Sequence, residues 1–121
     1  MTIEEYHTVC KKLGIHFNVN NPWYGYYNYS DEEPASWLYI TYFSTGFQKV
    51  QLRYNAFSII QNNENPLPLF PNDTKPFLNI NTSFIYVSDP KTLEYFLGIT
   101  INKIKQLNNE LKKRFIADDF V

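Results

Sequence analysis

The sequence predicts an α+β domain: a short N-terminal helix, an antiparallel sheet of four or five strands, and a long C-terminal helix packed across one face. Three observations carry that expectation. A capping signal opens the chain, period-two alternation fills its middle, and an unbroken helical stripe follows Asp89 and Pro90. At 121 residues the chain suits one domain, 1–121, with a single core that needs no disulfide or metal.

Thr2 and Glu5 have the spacing of a capping box, in which each side chain satisfies the other's orphan backbone N–H. Ile3, Tyr6, Val9, Cys10 and Leu13 then share one helical face. Lys11 and Lys12 suit the negative end of the dipole, and Gly14 supplies a left-handed stop. The pattern predicts a helix over 3–13, with the helix at an edge of the sheet. Ile15, Phe17 and Val19 alternate with His16, Asn18 and Asn20, as in a half-buried strand ended by Asn21 and Pro22. Residues 23–29 read equally as a strand or an aromatic loop. Gly25 within them marks a bulge or the close approach of another backbone.

Residues 30–36, with Asp31, Glu32, Glu33 and Pro34, read as a solvated turn. Residues 37–43 form the clearest strand, and apolar or aromatic residues on both its faces give it a central place. Ser44, Thr45 and Gly46 make a tight hairpin, and the chain returns over 47–54. Val50, Leu52 and Tyr54 there take the core face, and Lys49, Gln51 and Arg53 the wet one. Residues 56–60 extend this strand or form another. Pro66, Pro68, Pro71 and Pro76 make 62–76 a long loop, laid on an apolar surface by Leu67, Leu69 and Phe70. Residues 77–87 resume alternation as one long strand.

Asp89 is an N-cap with proline at the first helical position. The helix it starts runs to about residue 116, or about 40 Å. Its stripe is Leu93, Leu97, Ile101, Ile104, Leu107, Leu111 and Phe115. Tyr95 and Ile99 lie opposite, so the first half is apolar nearly all round and is expected to be buried.

A net charge of -1 makes no field that gathers phosphates or lipid headgroups, so neither nucleic acid nor membrane is an expected partner. No apolar run approaches the ~18 residues of a membrane span. The first residues carry acids where a signal peptide needs an apolar run, which points to a cytoplasmic home. A single cysteine excludes an internal disulfide framework. His7, Cys10 and His16 fall short of the four paired ligands of a structural zinc site. Cys10 lies on the apolar helix face, where a thiol behaves as a small hydrophobe. There is no nucleophile elbow and no phosphate-binding glycine loop. No enzyme, metal or cofactor is expected.

Two features point to protein contact. The chain is 18% aromatic, with 10 Tyr, 10 Phe and 2 Trp, and many of these crowd into 23–29. Alternation sends Tyr24 and Tyr26 to one face and Trp23, Tyr27 and Tyr29 to the other, so one set meets solvent. Trp23, Tyr24 and Tyr26, rimmed by Asp31, Glu32 and Glu33, then make a binding hot spot. The second feature is the lower helical stripe, Ile104, Leu107, Leu111 and Phe115. It packs on its own sheet or, if it outruns the sheet, pairs with a twin chain as a homodimer. The expected function is a non-enzymatic protein-binding module. Asn, Ile, Lys, Tyr and Phe, all spelled by A/T-rich codons, are abundant. That bias suggests a small phage or mobile-element inhibitor occluding a bacterial defence protein such as a nuclease. The alternatives are a toxin-neutralising immunity protein and a small-ligand-binding domain that uses 23–29 as an aromatic cage.

Overall fold

The structure, a computed structural model, describes residues 1–30, 36–60 and 77–119, and the side chains of all of these but 30, 36, 60, 77 and 114–119. The turn with Asp31, Glu32 and Glu33, the proline-rich segment 62–76, the Phe115 side chain and residues 120–121 lie outside the described residues. Helix α1 (Ile3–Lys12) begins at the expected capping box. Glu5 N–H donates to Thr2 Oγ1 at 3.1 Å, and Thr2 N–H donates to Glu5 Oε1 at 2.9 Å. It ends in a Schellman closure: Gly14 takes φ +86°, its N–H reaches Lys11 O, and Ile15 N–H reaches Cys10 O at 2.9 Å.

The strands are β1 (His16–Asn18), β2 (Asn21–Ser30), β3 (Ser36–Ser44), β4 (Lys49–Leu52), β5 (Phe57–Ile60), β6 (Phe77–Ile80) and β7 (Ile85–Val87), followed by helix α2 (Pro90–Asp119). A five-stranded sheet runs in the order β1-β2-β3-β4-β7, antiparallel throughout, and β5 and β6 pair as a separate two-stranded sheet. Both helices lie on one face of the larger sheet, side by side and joined at their exposed edge by Lys12 and Glu94 at 2.6 Å. The core between the layers holds Tyr6 and Cys10 from α1 and Leu38, Ile40, Phe43, Val50, Leu52 and Val87 from the sheet. Leu93, Leu97, Ile101, Ile104 and Leu107 of α2 complete it. At the start of α2, Asp89 Oδ2 accepts from the Thr92 N–H and hydroxyl, which holds the carboxyl below its usual range.

Four local expectations change. Asn18 Oδ1 accepts from Asn20 N–H, so the chain turns there and Val19 is 94% exposed instead of lying on the strand's apolar face. The β3–β4 hairpin is wider than a Ser-Thr-Gly turn. Its loop holds residues 45–48, closes through Gln48 N–H on Ser44 O, and places Gln48, not Gly46, at positive φ. Residues 77–87 are two strands in different sheets. Asn81 breaks the alternation by donating its N–H to Ala56 O and accepting Ser83 N–H on its side chain. The first half of α2 is not buried all round: only its inner side is covered, and Tyr95 is 66% exposed, with Ile99 also exposed.

Candidate functional site: the open aromatic face of the sheet

The face of the five-stranded sheet opposite the helices is paved with aromatic rings, and a single β-bulge sets its composition. Tyr24 pairs with Tyr42 and Gly25 with Thr41, but Tyr26 pairs with Tyr39, so Ile40 is the extra residue on β3. Ile40 and Thr41 therefore both turn to the core and are fully buried, while Tyr39 and Tyr42 both turn outward despite their spacing of three. Gly25 sits where β2 meets this kink. A methyl group there would collide with Thr41 Oγ1 and come within 2.7 Å of Ile15 Cγ2.

Directly paired residues on antiparallel strands share a face, and the ring contacts follow the register. The Tyr24 ring lies 4.7 Å from that of Tyr42 and 5.3 Å from that of Tyr39, and Tyr26 is 6.1 Å from Tyr39. His16 on β1 meets Trp37 on β3 edge-to-face at 5.2 Å, and Trp37 remains 50% exposed. At the other edge Tyr86 on β7 is 63% exposed and stands edge-on to Phe84 at 5.4 Å. The rings thus extend across four strands, β1, β2, β3 and β7.

Strand β4 adds polar groups to this surface. Lys49 and Gln51 alternate along it and Arg53 follows just past its end, where the Arg53 guanidinium lies 4.8 Å from the Tyr39 ring centroid, a cation–π contact. Arg53 Nη1 donates to Asn81 O at 3.2 Å, whereas its Nε is buried without a hydrogen-bond partner. Partial burial pushes the Tyr39 phenol up, and the Arg53 charge pulls it the other way. Around Lys49 lies a shallow open cleft of about 340 Å³ lined by Tyr42, Ser44, Phe47, Lys49, Gln51 and Tyr86.

Of the residues singled out from the sequence, Tyr24 and Tyr26 stand together on the open face. Trp23 alternates to the helix side, partly exposed, with its carbonyl accepting from Tyr6. Ile104 and Leu107 are core residues, and Leu111 is buried as well. His7, Cys10 and His16 are not brought together. His7 Nε2 donates to Pro22 O at 2.7 Å, Cys10 is buried, and His16 lies on the open face. Among the described residues no three His, Cys, Asp or Glu side chains gather as metal ligands. Trp37, Tyr39, Tyr42 and Tyr86 were missed as surface residues. The two-sided apolar pattern of 37–43 gives β3 its central place, but the described residues leave one of those sides uncovered. The wet alternation of Lys49, Gln51 and Arg53 was the usable signal, because β4 pairs with β3 and must share its outer face.

No family model, curated protein or solved structure matches the chain. Among the described residues no helix is long and apolar enough to cross a membrane.

Proposed function

We propose that the chain is a non-enzymatic protein-binding module whose contact surface is the open sheet face around Tyr24, Tyr26, Tyr39 and Tyr42. One observation carries this reading: both helices pack on the same side, and the side that the described residues leave uncovered is the one lined with tyrosine and tryptophan. Exposed aromatic area of this extent is a recurrent mark of protein contact. Tyrosine gives large amphipathic area at small rotamer cost, and its hydroxyl keeps the free surface wettable. A broad sheet face suits occlusion of a partner's surface better than enclosure of a substrate. Its concrete form, suggested by the A/T-rich residue bias, is a phage or mobile-element inhibitor that covers a bacterial defence protein such as a nuclease.

The cleft beside Tyr42 and Tyr86 favours a second reading, a small-ligand site, since its volume falls at the low end of the roughly 300–1,000 Å³ of ligand pockets. Affinity capture from a bacterial lysate separates the two. A stoichiometric protein retained by the native chain and lost with Tyr24→Ala/Tyr26→Ala supports occlusion. That loss should amount to about 2 kcal/mol or more, the size of a hot-spot truncation. A co-purifying small molecule with no protein partner supports the cleft.

A further inference from the structure

Among the described residues, the charge on the open face differs in sign from that of the chain as a whole. The net charge is -1, yet the described charged side chains on this face are Lys49 and Arg53, both cations, two strand steps either side of Gln51. The described carboxylates Glu4, Glu5, Glu94 and Glu110 lie on the helices, and Asp89 caps α2. Lys12–Glu94 is the one ion pair among the described residues, so neither Lys49 nor Arg53 is neutralised there. The residues around the two cations add further donors or groups able to donate: the Tyr39, Tyr42 and Tyr86 hydroxyls and the Gln51 amide.

Resting on the protein-binding reading above, we infer that the partner presents an acidic polypeptide segment to β4, with carboxylates received by Lys49 and Arg53 and apolar side chains by the tyrosines. The guanidinium is already placed. Its stacking on Tyr39 and its hydrogen bond to Asn81 O fix the plane of the fork, so little side-chain entropy remains to be lost on engaging a carboxylate. Lys49 stands four residues away on the same face, about 13 Å at the rise of an extended strand, and lines the cleft next to Tyr42 and Tyr86. An extended segment with carboxylates at that separation spans both cations and lays its intervening residues on the rings. Single-stranded nucleic acid is the less favoured polyanion. It needs a cation for most phosphates along its track, and the described residues of this face provide two, against an overall negative charge.

The test is a titration of the isotope-labelled full chain with an acetylated peptide of alternating glutamate and leucine, read by backbone amide shifts. Saturable shifts are expected at residues 39–42, 49–53 and 84–87. They should weaken with added salt, and the dissociation constant should rise about tenfold or more in Lys49→Gln/Arg53→Gln. Lys49→Gln alone, at an exposed position, should show part of the rise without disturbing the fold. Three results overturn the proposal: no saturable shifts, shifts confined to the helix layer, or an oligothymidylate of equal charge binding more tightly at these amides. Tyr24→Ala/Tyr26→Ala separates the two readings. If it weakens the peptide and the charge variant does not, the aromatic face stands and its acidic partner falls. If neither variant matters, both fall.

Discussion

The Tyr6 hydroxyl lies 2.8 Å from the Thr41 hydroxyl in the centre of the core. Tyr6 also donates to the Trp23 carbonyl at 2.9 Å, and a phenol has one proton, so Thr41 must donate to Tyr6. One side chain of α1 thereby joins β2 and β3 at the kink that orients the aromatic face.

Tyr6→Phe keeps the ring contacts with Phe17 and Phe43 but leaves the Trp23 carbonyl and the Thr41 hydroxyl without this partner. The expected loss is about 1–3 kcal/mol, the cost of stranding buried polar groups. Urea denaturation checks it. A change of only a few tenths would mean that the network adds little.

Gly25→Ala should destabilise by at least the roughly 1–3 kcal/mol typical of overpacking, since its Cβ meets Thr41 and Ile15 in the closed interior. Ala at Gly98, where a Cβ has open space, is the control and should stabilise α2 slightly. Equal melting temperatures for the two variants would contradict the close approach at Gly25.

Cys10 is fully buried, and that burial pushes its thiol from the ordinary 9.0 up to about 12. The native state therefore holds the proton after the unfolded chain has lost it. Stability from this group is complete below pH 9.0 and is lost as the pH rises to about 12. Burial raises the Tyr6 phenol too, which steepens the alkaline side. Unfolding free energy measured against pH should fall above pH 9.0, and the fall should be smaller in Cys10→Ala. That variant should itself cost about 1–2 kcal/mol, as a small core truncation does. Rapid thiol labelling of the native protein at neutral pH would contradict the burial.

Tyr24→Ala/Tyr26→Ala removes cross-strand ring contacts on the open face without touching the core. The expected cost is about 2 kcal/mol, from roughly 1 kcal/mol for each of the two directly opposed pairs, Tyr24 with Tyr42 and Tyr26 with Tyr39. Circular dichroism should show the same fold, melting at a lower temperature. Loss of the folded spectrum would place these rings in the scaffold and remove them as a free contact surface.

Ile104, Leu107 and Leu111 are buried in the single chain, so a dimer through this stripe would have to withdraw them from their own interior. Light scattering at micromolar concentration should find a 14.4 kDa species. A mass twice that size would restore the paired-helix reading.

The fold was legible where one local signal decided an element alone. Thr2 with Glu5, Gly14, and Asp89 with Pro90 each fix a helix end through backbone groups a few residues away. The site was legible only in part. Alternation separates Tyr24 and Tyr26 from Tyr27 and Tyr29, but nothing local says which set the helices cover. That depends on where Tyr6 docks, a contact 35 residues from Thr41 along the chain. Asn81 was illegible for a similar reason: its N–H is fixed by Ala56, across the segment 62–76.

The extra residue at Ile40 splices two opposite phases into one strand. Before it, odd-numbered positions of β3 face solvent; after it, even-numbered ones do. β3 should therefore tolerate the loss of that one residue better than the gain of another. Deleting Ile40 removes the bulge and leaves plain alternation, with Trp37, Tyr39 and Tyr42 still outward and Leu38, Thr41 and Phe43 inward. A residue inserted beside Ile40 instead turns Trp37 and Tyr39 inward if Tyr42 stays out, and the aromatic surface is divided between the two sides of the sheet. Variation that preserves function in this protein should thus show loss of Ile40 more readily than insertions between Trp37 and Phe43.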